Sequence, residues 1–169
     1  GYNRRFSRYA KEVKRHTSSR TSPVLLRYRM NAGYIPKGSW VHDDGGRIVG
    51  EACHLIDLST YLIDAEIESV YSEGIGPSTG KYMAADNKSI VIKYRDGSIA
   101  SIDYFSTGSN KLSKEQFEVH FDGKSIVVDD YKSITGYGLD VNGITSDKSD
   151  KGQFEGLEAF HEGLRTEIG

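Results

Sequence analysis

Arg47, Glu51, His54, Asp57 and Tyr61 follow one another at spacings of three and four, in a stretch otherwise rich in apolar residues. On a helix that spacing places them on one face. A histidine exchanges a proton near neutral pH, and here it stands among carboxylates and a guanidinium on a rigid element. Proton transfer to or from a bound substrate is the chemistry this stripe suits. Two other clusters offer less. His42-Asp43-Asp44 invites a metal reading, but no second ligand set at a fixed spacing supports it, so no metal is expected. Cys53, the single cysteine, reads as a small buried apolar residue, and alone it excludes an internal disulfide framework.

Several elements must position that stripe. Phe6, Tyr9, Ala10 and Val13 have helical spacing behind Ser7, which reads as an N-cap. Val24–Met30 reads as a strand opened by Pro23, and a turn-rich loop from Asn31 to Gly46 leads into the histidine helix, which runs to about Ile63. The period then changes to two. Ile67–Tyr71 is a strand, and two hairpins follow, with Asp96-Gly97 as a two-residue turn and Asp122-Gly123 as the second turn, each between alternating runs. His120 alternates outward from Phe117, Val119 and Phe121 and is expected to be exposed. Thr135 to Lys151 is weakly patterned and reads as a mobile surface excursion. Phe154, Leu157, Phe160, His161 and Leu164 mark a closing amphipathic helix.

Helix, strand, helix, hairpins and helix in that order predict an α+β fold: a large, mainly antiparallel open sheet with helices on one face. The βαβα alternation of a nucleotide-binding sheet is absent. Gly74-Ile75-Gly76-Pro77-Ser78-Thr79-Gly80 only superficially resembles a dinucleotide fingerprint, since no helical pattern follows it.

The 169 residues are enough for one domain with a real core, and no apolar run is long enough to cross a bilayer. Residues 1–29 carry a net charge of +8 in a chain whose total is −2. Such an arm could bind nucleic acid, yet no ribonucleoprotein or zinc-finger spacing accompanies it. An anionic small molecule or a solvated helix face suits it as well, and no nucleic acid or membrane partner is expected. One cysteine fits a cytoplasmic protein. The opening Gly1-Tyr2-Asn3-Arg4-Arg5-Phe6 reads as the start of an excised fragment.

The histidine helix resembles the substrate-domain signature of the glucose–fructose oxidoreductase and inositol dehydrogenase family, often called Gfo/Idh/MocA. Asn3-Arg4-Arg5-Phe6-Ser7 is similar to the segment leaving that family's cofactor domain, and Asp96-Gly97-Ser98-Ile99 to a hairpin of its large sheet. Lys151-Gly152, Leu157, Ala159-Phe160 and Leu164-Arg165 are similar to its closing helix, so the likeness spans nearly the whole chain. The loop from Met30 through Trp40 and Gly50-Glu51-Ala52-Cys53-His54 resembles the branch associated with sugar and polysaccharide metabolism.

The resemblance implies a dihydrodipicolinate reductase-like fold over residues 1–169, serving as the C-terminal substrate-binding and oligomerisation domain of an NAD(P)-dependent oxidoreductase. A Rossmann domain holding NAD or NADP would precede Gly1, with a Glu-Lys-Pro motif that this chain lacks, so the fragment alone is expected to be inactive. The substrate would be a sugar, nucleotide-sugar or cyclitol oxidised at a secondary hydroxyl, and a homo-oligomer would form through the sheet. His54 aligns with the family's catalytic histidine. Asp57 matches a position that binds sugar hydroxyls or orients the histidine, and Glu51 offers a nearby carboxylate. Arg4, Arg29, Asn31 and Tyr104 match substrate-side positions. The family's aspartate one turn before the histidine is replaced by Gly50, which leaves open a non-catalytic sugar-binding or scaffold module. A basic-arm interaction domain is a third reading.

Overall fold

The computed structural model describes residues 1–43 and 46–167. Seven strands form one open sheet: β1 (Leu25–Asn31), β2 (Ile67–Gly74), β3 (Lys88–Tyr94), β4 (Ile99–Phe105), β5 (Glu115–Phe121), β6 (Lys124–Asp129) and β7 (Ser133–Tyr137). Their spatial order is β2-β3-β4-β1-β5-β6-β7. Every neighbouring pair is antiparallel except β1–β4. A parallel pair needs a long crossover, and the segment between β1 and β4 supplies it with a helix included. That helix is α2 (Cys53–Ile63); α1 (Arg8–Thr17) and α3 (Gln153–Glu167) lie near the two ends of the chain.

The inward phases of the strands make the core. Leu26, Tyr28 and Met30 of β1, Ile90, Ile92 and Tyr94 of β3, Ala100, Ile102 and Tyr104 of β4, and Phe117, Val119 and Phe121 of β5 are buried. They form one cluster with Tyr9, Ala10 and Val13 of α1 and Leu55, Leu58 and Leu62 of α2. Each fully buried leucine stabilises the fold by about 1.5–3 kcal/mol. The opposite phase, with Arg27, Arg29, Lys93, Ser101, Asp103 and Glu118, is mixed and polar, so the helices cover one face only.

The N-terminal cations turn inward to their own chain. Ser7 caps α1 through the Tyr9 N–H at 3.2 Å. At the far end of α2, Lys14 donates to Tyr61 O, Thr17 to Leu62 O and Arg20 to Ile63 O, at 2.8, 2.9 and 2.8 Å. These satisfy the carbonyls that a helix C-terminus leaves without partners. Arg4, Arg5, Arg8, Arg15 and Arg27 pair with Glu115, Asp57, Asp150, Glu12 and Glu118. The basic arm is therefore largely neutralised within the fold.

Three local expectations need correction. Residues 133–137 form β7 by pairing with β6, with Ile134 buried, so the weakly patterned segment begins as the sheet's edge strand. Asp122 and Gly123, at φ 48° and 71°, make a two-residue turn with Phe121 opposite Lys124. At the first Asp-Gly, by contrast, Tyr94 bonds Ser98, so the loop has one residue more, and Gly97 at φ 93° supplies its left-handed position. His120 is half-buried, its Nδ1 2.8 Å from Ser125 Oγ.

Candidate active site

The C-terminal ends of β1 and β4, the N-terminal ends of β3 and β5, and the start of the histidine helix meet at one end of the sheet. There the helix is not regular. Ile48–Ala52 form a π-helical turn before α2 begins at Cys53. A π turn carries an additional residue and rotates the helix before it relative to the helix after it. The polar stripe is split by that rotation.

Arg47, at the start of the π-helical turn, and Glu51, within it, face the strand ends. The buried Arg47 guanidinium donates to Gly33 O at 2.7 Å and Ala32 O at 2.9 Å, and lies 5.5 Å over the Tyr104 ring. Glu51 accepts from Arg47 at 3.1 Å, from Lys114 at 3.3 Å and from the Tyr104 hydroxyl. Burial raises the Glu51 carboxyl, but the Tyr104 bond and the two cations more than offset it and hold it below 4.5. Burial and Glu51 together push the Tyr104 hydroxyl well up.

His54, Asp57 and Tyr61, after the break, face the N-terminal segment. A 3-10 turn at Asn3–Phe6 lies across them. The Arg5 guanidinium grips Asp57 with two hydrogen bonds, Nε to Oδ2 being 2.7 Å, and sits 5.3 Å over the Tyr61 ring. Tyr2 meets the His54 ring edge-on, 5.7 Å between centroids. His54 is half-buried, and its Nδ1 is buried without a hydrogen-bond partner. Burial first, then the Arg4 charge, lower the imidazole below 6.5, with Glu115 and Asp57 opposing. The neutral, proton-accepting form is thereby favoured.

Arg4, Asp57 and His54 are thus gathered around one turn, while Glu51 and Tyr104 form a separate polar pair. Arg29 points to the other face of the sheet and donates to Ser113 O at 2.9 Å and Ser113 Oγ at 3.0 Å. Asn31 is buried at the end of β1, its Nδ2 bonded to Ser109 O at 2.7 Å and its Oδ1 without a partner. His42 lies 3.7 Å from the buried Asp86, and Asp44 falls outside the described residues. Among the described residues no group of three or more His, Cys, Asp and Glu side chains could hold a metal ion. Cys53 is half-buried, at a groove of about 270 Å³ that it lines with Tyr2, Arg5, Ile56, Asp57 and Thr60.

One group escaped the sequence reading. Glu115 opens β5 on the inward phase, followed at every second residue by Phe117, Val119 and Phe121, and is wholly buried. It accepts from Arg4 Nε and Nη2, both at 2.9 Å, from the Tyr28 hydroxyl at 2.8 Å and from Lys151 Nζ at 2.6 Å. Tyr131 extends the network, its hydroxyl 2.7 Å from that of Tyr28. Burial raises the Glu115 carboxyl, but Arg4 and then Lys151 hold it down at about 2. A carboxylate on the apolar phase of a strand was the signal, because such a charge needs a buried cation.

Fold and site define a class: a one-faced α+β sheet domain carrying a half-buried histidine at the start of its crossover helix. The chain belongs to the GFO/IDH/MocA C-terminal domain family, whose model matches residues 22–127. Over 108 residues it is 27% identical to the myo-inositol 2-dehydrogenase of Thermotoga maritima, covering 61% of this chain and 32% of that protein. The fold is shared with a probable dehydrogenase from Thermotoga maritima, with TM-score 0.74 and 20% identity over 98% of this chain and 54% of that one. It is shared too with a UDP-N-acetylglucosamine 3-dehydrogenase from Acidithiobacillus ferrooxidans, with TM-score 0.72 and 19% identity over 99% and 52%. The chain thus spans about a third of the curated relative and about half of these solved chains. No helix among the described residues is long and apolar enough to cross a membrane.

Proposed function

We propose that this chain is the substrate-side half of an NAD(P)-dependent dehydrogenase acting on a secondary hydroxyl of a sugar, nucleotide sugar or cyclitol. The observation that carries the reading is His54: half-buried beside Arg4, its imidazole shifted below the ordinary value by burial, at the start of the crossover helix. It is supported by relatives named as dehydrogenases of myo-inositol and of UDP-N-acetylglucosamine. NAD or NADP, when bound, supplies the hydride acceptor. The residues here do not fit its main seat, because β1 ends at Asn31 and α2 begins only at Cys53, too far along the chain for the tight strand-to-helix turn that seats a pyrophosphate. A preceding Rossmann domain would hold it.

His54 receives the hydroxyl proton through Nε2, since Nδ1 is buried. Asp57 is already gripped by Arg5, so the pair acts as a wall of the site, offering hydrogen bonds to substrate hydroxyls. Phe154, Leu157, Phe160 and Leu164 leave an exposed apolar stripe on α3, whose main neighbour is the Asn3–Phe6 turn. The preceding domain would cover that stripe, and the polar face of the sheet would carry the homo-oligomer contact. A cytoplasmic location completes the reading.

In the full-length protein, His54→Ala is expected to lower kcat by roughly two to four orders of magnitude. Unchanged turnover excludes His54 as the base. A second reading, a non-catalytic sugar-binding module, is favoured by Gly50, which puts no carboxylate one turn before His54. With a strand, a glycine-rich turn, a helix and a Glu-Lys-Pro motif in the upstream coding sequence the dehydrogenase reading stands; with neither it collapses.

A further inference from the structure

We propose that Glu115 is the positioning residue of this site: by clamping Arg4 and Lys151 it holds the Asn3–Phe6 turn in the orientation that encloses His54. The proposal rests on the reading of His54 as the proton acceptor.

Its geometry is a saturated acceptor. Oε1 takes Arg4 Nη2 and Lys151 Nζ, and Oε2 takes Arg4 Nε and the Tyr28 hydroxyl. A carboxylate offers about four lone-pair sites, so each is used. Two cations meet one carboxylate, and the network is anchored in the core by the fully buried Tyr28 and Tyr131. The two clamped cations belong to segments that also hold each other. Asn3 Nδ2 donates to Lys151 O at 2.8 Å, and Ser7 Oγ donates to Asp150 O at 2.8 Å. Gly152 packs against the backbone of Asn3, Phe6 and Ser7. From the same segment Arg4 reaches Glu115, while Tyr2 and Arg5 reach His54 and Asp57. One carboxylate on β5 therefore sets a turn that supplies the cover of His54.

The charged and titratable groups around His54 are Arg4, Tyr2 and the amino terminus from the N-terminal segment, Asp57 from its own helix, and Glu115 from β5. Burial is the largest influence among them, so releasing the turn is expected to return the imidazole toward its ordinary value. A glutamine at 115 accepts on one oxygen only and, whichever way it lies, turns an amide N–H toward the Arg4 guanidinium, so it opens the clamp on Arg4.

The test is the titration of His54 by NMR in the 169-residue chain, assigned with His54→Asn and compared with Glu115→Gln and Arg4→Met. His120, on the far part of β5, reports whether the sheet is intact. The clamp predicts that both variants move the His54 midpoint upward by several tenths of a pH unit while His120 is unmoved. Opposite shifts, down in Glu115→Gln and up in Arg4→Met, would mean that Glu115 acts on His54 by charge alone and would overturn the proposal. Unmoved midpoints in both variants would overturn it as well. If Glu115→Gln fails to fold, Lys151→Met decides, because Lys151 is not among the main charges acting on His54: a raised midpoint supports the clamp and an unmoved one overturns it. The titration does not depend on turnover. A clamp shown here beside full activity in His54→Ala would sink the catalytic reading and leave the positioning intact.

Discussion

A Cβ on Gly152 would stand 2.3 Å from the backbone nitrogen of Ser7, and 2.7 Å from the carbonyl oxygen of Asn3. The closing segment and the first turn of the chain are in backbone contact there, and Gly152 also has φ +74°. No rotamer change relieves a clash between backbones. Gly152→Ala is expected to cost about 3 kcal/mol or more, combining left-handed strain with forced separation of the two segments. For a domain of this size, that lowers the midpoint of thermal unfolding by roughly 6–12 °C. Calorimetry checks it, and an unchanged midpoint would contradict the packing described.

Tyr104→Phe removes the hydroxyl that Glu51 accepts from the end of β4. Glu51 keeps Arg47 and Lys114, so the expected loss is about 1 kcal/mol near neutral pH. The sign of its pH dependence comes from Glu51. Its carboxyl is held below 4.5 in the fold, so its stabilisation is complete above the unfolded value and fades as pH falls below it. Denaturant midpoints of the two proteins should therefore converge in acid.

Glu115 makes the same argument with a larger amplitude. Its carboxyl sits at about 2 in the folded chain against 4.5 as the ordinary value. Folding is favoured by the ionised form, so this stabilisation is present above pH 4.5 and is lost progressively toward pH 2. The linked free energy is about 3 kcal/mol. Stability measured in urea from pH 6 to pH 2 should fall with a slope that Glu115→Gln lessens.

Gly50 is exposed, and a Cβ built on it meets nothing within 4 Å. Gly50→Asp is expected to fold normally and to change stability by no more than about 1 kcal/mol, since replacing a helical glycine offsets the low helix propensity of aspartate. Urea titration decides this. A strongly destabilised variant would mean that the π-helical turn requires glycine at this position.

The parts legible in the sequence were those governed by near neighbours. The period-two run of β5 placed Phe117, Val119 and Phe121 inward, and Ser7 announced the start of α1. His54 was visible because its residue type and helical setting are local facts. The division of the Arg47–Tyr61 stripe was not visible, because ideal helical spacing cannot show the π-helical turn at Ile48–Ala52. Strand β7 was missed for a related reason. Only Ile134 of that short strand is buried, and its pairing with β6 gives it an identity that its composition does not.

By itself the sequence determined an α+β domain with a mainly antiparallel sheet, and a histidine on the helix after the first strand, because alternation and helical period are set by covalent geometry. Tertiary structure decided which charges meet. Arg4 and Glu115 are separated by 111 positions, Arg5 and Asp57 by 52, and Lys151 and Glu115 by 36. No periodicity links such pairs; burial does. A carboxylate removed from water must find its cations, and where the folded chain brings them determines what surrounds His54.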